Sequence, residues 1–173
     1  MNQRAQAGFS LVETMFAIGV LCVAALGMAG VFAQGMAKTA SSPGEVLATQ
    51  KAAAAIESVF SARDSHTITW AQLQNTNNGG IFKVGPQPLT TDGPDGVIGT
   101  ADDGPVETVQ LPGRDQKLGV GGDDVTVTLN GFTREIVLTD VKTDLRKITV
   151  TITYKAGAAT RSYTLTALIS TFA

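Results

Sequence analysis

The sequence predicts an α+β chain, with a long helical region first and an antiparallel sheet last. Three observations carry this. Residues 14–37 contain no charged side chain over 24 positions, after a single acid at Glu13. Residues 46–60 repeat apolar or small side chains at spacings of three and four, the period of a helix with one covered face. From Val125 onward, apolar and Thr residues alternate with period two, as half-buried strands require.

The first element is the uncharged run. At ~1.5 Å per residue it forms a helix about 36 Å long, enough for the ~30 Å hydrocarbon core of a bilayer. Residues 1–8 before it are polar and carry Arg4, a positive bias that keeps this end cytoplasmic and sends the C-terminal bulk outward. Gly19, Gly27, Gly30 and Gly35 interrupt the run, and small residues let helices approach closely in lipid. The membrane helix is expected over residues 9–40 and an amphipathic helix over 41–63. Between them Ser41-Ser42-Pro43-Gly44-Glu45 reads as a kink or short break. Pro43 disfavours helix at Ser42, while Ser42, Pro43 and Glu45 together make a capped restart. The second helix is expected to bury a stripe through Val46, Gln50, Ala53, Ile56 and Phe60, widened by Leu47, Ala54 and Val59.

Residues 64–173 form the expected β-rich head. Thr67–Trp70 and Ile81–Val84 read as short strands, with a turn-rich loop at residues 75–80. An acidic Gly/Asp loop occupies 85–124. Then Val125, Val127 and Leu129 alternate with polar residues, Asn130-Gly131 is a hairpin signal, and 132–139 returns. Arg146, Ile148, Val150, Ile152 and Tyr154 share a face that should look at the helix, Arg146 excepted. Tyr163, Leu165, Ala167 and Ile169 share a face of the last strand. The result is an antiparallel meander behind a helix.

Composition bounds the function. The chain has 173 residues and net charge −2, so nothing demands nucleic acid, which remains a less favoured partner. Charge is uneven. Residues 92–124 hold eight acids against Arg114 and Lys117, whereas 125–173 hold six bases against three acids. The one cysteine, Cys22, lies inside the apolar run and has no partner for a disulfide. His66 is the sole histidine, which leaves zinc or histidine-based catalysis little support. No enzyme is expected. Within residues 91–104, Asp92, Asp95, Asp102 and Asp103 stand among Gly and Pro. A solvated acidic turn is the plain reading, and a calcium site, which wants six to eight oxygens, is the alternative. It is not an EF-hand, because Pro94 and Gly96 occupy the third and fifth positions.

Glu13 is the informative residue. Placing an acid in a bilayer costs roughly 2.5–3.5 kcal/mol or more, so such a group is by default functional and paired. An ordinary secretory signal would have a shorter apolar core with its cut after it, and a plain single-pass anchor would make Glu13 incidental.

The stretch Gly8-Phe9-Ser10-Leu11-Val12-Glu13 resembles the N-terminus of type IV (class III) prepilins and pseudopilins. The resemblance implies a leader of residues 1–8, removed by a membrane-embedded prepilin peptidase between Gly8 and Phe9. It implies N-methylation of Phe9, and pairing of Glu13 with the Phe9 amine of a neighbouring subunit during assembly. It also implies an inner-membrane, single-pass protein in contact with lipid. Its head would lie in the periplasm, and its partners would be other major and minor pilins or pseudopilins. Opposite charges in low dielectric cost less together than apart, which agrees with that role for Glu13. A second, shorter similarity joins Thr133-Arg134-Glu135-Ile136-Val137 and Leu145–Ile152 to PilV-type minor pilins and I-type minor pseudopilins. With no C-terminal disulfide loop, this points to a minor pilin that modifies or primes a type IV pilus. The alternatives are a minor pseudopilin of type II secretion and a tip subunit that is an adhesin or captures DNA.

Overall fold

The computed structural model describes residues 10–172, and the side chains of all of these except 37–42. Two compact units divide between Ser42 and Pro43. One helix, α1 (Leu11–Asp64), contributes to both. In the first unit it is apolar, and Leu11–Met36 has a mean hydropathy of 2.4 with none of it buried. Among the described residues this is the one helix long and apolar enough to cross a membrane.

The helical backbone continues through Pro43 rather than breaking and restarting there. Neighbouring Gly44 has its own reason. A Cβ on it would lie 2.9 Å from Cε2 of Tyr154, so the glycine admits that ring against the helix. The covered face beyond this point runs through Ala48, Ala52, Ala55, Val59 and Ala62. Val59 belongs to the expected stripe, the alanines lie one or two positions round the helix from it, and Val46 is 55% exposed. The expectation followed the largest apolar side chains. In the fold alanines occupy the contact, and Leu47, Ile56 and Phe60 flank it half-buried.

Opposite them lies a four-stranded antiparallel sheet in the order β1-β4-β5-β6. Its strands are β1 (Gln87–Pro88), β4 (Phe132–Lys142), β5 (Leu145–Ala156) and β6 (Ala159–Ser170). Ile148, Val150, Ile152 and Tyr154 of β5 are buried as their alternation required, as are Ile136 and Leu138 of β4. Each fully buried Val or Ile contributes about 1.5–3 kcal/mol relative to exposure. Ile148 stands opposite Leu138 on one side and Ala167 on the other, which fixes the register of all three long strands.

One expected pairing and two expected strands are replaced. β3 (Val125–Thr128) pairs with β2 (Thr108–Leu111) in a separate two-stranded ribbon, so Asn130-Gly131 carries the chain from one sheet to the other rather than closing a hairpin. Its turn chemistry is compatible with both outcomes. Thr67–Trp70 forms turns, and Ile81–Val84 makes only a single bridge, Phe82 to Asn75. Asn75 is what occupies the edge of β4 instead. Its side-chain amide donates to Ile136 O at 2.7 Å and accepts from Leu138 N–H at 2.8 Å, as a strand backbone would.

Candidate functional site

The N-terminal segment opens α1. Thr14 N–H donates to Ser10 O at 3.1 Å and its hydroxyl to Leu11 O at 2.8 Å, tying the first turn. Glu13 lies in that turn, where the helix dipole favours an acid. Its side chain is exposed and has no hydrogen-bond or ionic partner among the described residues. Around it Leu11, Met15 and Phe16 are 65–75% exposed. Gly8 and Phe9 lie outside the described residues.

The head holds a second group of charges, built on Arg134 of β4. Arg134 is 2% exposed and donates from Nη2 to Thr90 O at 3.1 Å. Glu107 Oε1 lies 3.6 Å from its Nη1, and Asp103 Oδ2 4.0 Å from its Nη2. Glu107 also pairs with Lys51 of α1. Burial pulls the Arg134 pKa below the ordinary arginine value, and Glu107 and Asp103 push it back up. Two cations face two anions, so the cluster is neutral, and it ties helix, ribbon base and sheet together. Arg146, expected to stand apart from the core, is buried as well. It donates to the backbone oxygens of Trp70 and Leu73 and to Asp140, and its guanidinium lies 4.2 Å over the Trp70 ring.

The acidic region consists of two versions of one loop, about twenty residues apart. In the first, Gly96 N–H donates to Gly93 O, Val97 N–H to Asp95 Oδ1, and Gly99 N–H to Asp103. In the second, Gln116 N–H donates to Gly113 O, Lys117 N–H to Asp115 Oδ1, and Gly119 N–H to Asp124 Oδ2. Gly93 and Gly113 both lack room for a Cβ, which would meet Asp102 and Asp123 respectively. Each loop closes on antiparallel pairing, the Thr90–Val106 bridge for one and the β2–β3 ribbon for the other. The pattern Gly-x-Asp-x-x-x-Gly followed by Asp-Asp is present twice in the sequence and is the signal that reveals the duplication.

Of the four acids singled out for calcium, Asp95, Asp102 and Asp103 come together. Each brings an oxygen within 2.6–3.3 Å of the Thr100 hydroxyl. That hydroxyl, ahead of the burial that opposes it, lowers the pKa of Asp102. Asp92 is exposed and joins none of these contacts. Among the described residues no group of three or more His, Cys, Asp or Glu is placed to hold a metal ion. His66 is exposed, with a left-handed φ of 57°. Arg134 and Glu107 were legible only as charges in the sequence; their partnership needs the fold.

Residues 3–29 match the family described as the prokaryotic N-terminal methylation motif. The chain therefore carries the class III, type IV prepilin-like signal, with Glu13 inside it. No curated protein and no solved structure matches the chain. The motif supports a pilin-like or pseudopilin protein that prepilin peptidase cleaves and that assembles with other pilins, a structural rather than enzymatic class. Motif and apolar helix together fit an anchor in the inner membrane.

Proposed function

We propose that this chain is a minor type IV pilin of the PilV type. It is cut between Gly8 and Phe9 and methylated on the Phe9 amine. Its head faces the periplasm until the subunit enters, or primes, a pilus. The observation that carries the reading is Glu13, an acid without a partner among the described residues on the exposed apolar stretch Leu11–Met36, five residues into the chain that cleavage after Gly8 would leave. In a filament the Phe9 amine of a neighbour supplies the missing charge. Intact mass and N-terminal sequencing with and without prepilin peptidase test it. Loss of residues 1–8 and gain of one methyl group, only with the peptidase, is expected; an uncut chain rejects the reading.

Two rivals share this N-terminus. A minor pseudopilin of type II secretion would stay in a short periplasmic filament, and finding the subunit in sheared surface pili separates the two. A DNA-capturing tip subunit draws support from the β5–β6 hairpin, whose exposed charges are Lys147, Lys155 and Arg161 with no acid. DNA affinity of the protein that falls steeply with salt would favour that version, and none at low salt would remove it.

A further inference from the structure

We infer that the head carries a binding site for one neutral sugar ring, beside the C-terminal end of α1. A recess of ≈180 Å³ opens there, floored by Ile68 and Leu73 and walled by Trp70, His66, Arg63 and Thr171. Drug-sized ligands occupy pockets of ~300–1,000 Å³, so this one admits a single small ring.

Its aromatic wall is fixed before any ligand arrives. Trp70 is the only tryptophan, and it is half-buried. Arg146 holds the ring from one side and the Trp70 backbone oxygen as well, while Leu73 O and Asp140 anchor the guanidinium. A locked aromatic surface binds without the ordering cost that a mobile one incurs.

The polar groups define the ligand's chemistry. Arg63 is matched by Asp64 and donates to Ser170 O at 3.1 Å, and Arg146 is matched by Asp140. Neither cation has charge to spare, which disfavours a phosphate or carboxylate. What remains open is hydrogen-bonding capacity. His66 uses Nδ1 on Asp64 O at 3.1 Å, leaving Nε2 without a partner among the described residues, like the Trp70 indole N–H and the Thr171 hydroxyl. The left-handed backbone of His66 closes α1, with its N–H donating to Arg63 O and Thr67 N–H to Ala62 O, and His66 lines the recess. An apolar floor, a rigid aromatic wall and three open hydrogen-bonding groups suit a pyranose, with C–H groups against the wall and hydroxyls at the rim. The inference stands independently of the filament reading.

The test uses the full chain in a detergent without a sugar headgroup. Glucose, galactose, mannose and N-acetylglucosamine are titrated separately while the emission of the lone tryptophan is followed. A saturable change with at least one of them is expected. His66→Ala should weaken that binding about fivefold, the worth of one hydrogen bond, with an unchanged melting midpoint. Thr171→Val, read the same way, serves if His66→Ala lowers the midpoint. No saturable change with any of the four sugars overturns the site. So does a change whose affinity is untouched in a variant that keeps the parent's midpoint.

Discussion

The two units of this chain solve opposite problems. From Leu11 to Met36 every side chain is exposed, and the segment is apolar throughout except at Glu13, Thr14 and Gln34. From Pro43 on, Phe82, Leu89, Ile148, Val150 and Ile152 are completely covered by their own chain. Among its described residues the first unit has no interior of its own, and its apolar surface suits lipid or neighbouring helices. The second supplies its own. Function that depends on other molecules should therefore be lost through the first unit while the head stays folded, and stability should be lost through the second while processing continues.

The largest effect expected on that division is at Glu13. Glu13→Leu should be cleaved normally and melt like the parent in detergent, yet disappear from purified filaments. Quantifying the subunit in sheared and membrane fractions checks this, and normal incorporation would break the comparison.

Arg134→Met should do the reverse. Removing one partner of a buried charge group costs roughly 3–5 kcal/mol, because Asp103 and Glu107 keep their charges. The midpoint of the detergent-solubilised protein should fall sharply while mass spectrometry still finds the leader removed. Asn75→Leu comes next. It strands the buried Leu138 N–H and Ile136 O, at about 1–3 kcal/mol, and hydrogen exchange should speed up selectively along that edge of β4.

The smallest effects belong to the acidic loops. The Asp102 carboxylate is favoured by folding, so its contribution is complete above about pH 4 and declines as pH falls through its lowered folded value. Chelation of calcium should leave the midpoint unchanged, since backbone amides already occupy Asp95, Asp102 and Asp103. A marked rise on adding calcium would instead give these loops a metal.

Much of this was legible in the residues alone. The apolar run, the faces of β5 and β6 and the amphipathic second half of α1 follow from composition and periodicity, which are local properties. What escaped was set by distant partners. The covered line of the helix followed alanines because the bulk comes from Ile148, Val150 and Ile152 across the interface. β3 left the expected hairpin because residues 108–111 offered it another edge. Arg146 was set outside the core because a charge is costly to bury, and the carbonyls of Trp70 and Leu73, remote in sequence, offset that cost together with Asp140. The repeated loop is a different case. It was present as a pattern and obscured by the one-residue insertion before Asp123.

That repetition leaves the molecule with one anchored loop and one free one. The first is held through Asp103 and Thr90 to the charges of the head, while residues 114–123 stand wholly exposed around paired glycines. Extra residues at such a tip disturb little. A short epitope placed between Gly121 and Gly122 would turn the spare copy into a handle, letting an antibody mark the position of a single subunit along a fibre under the electron microscope.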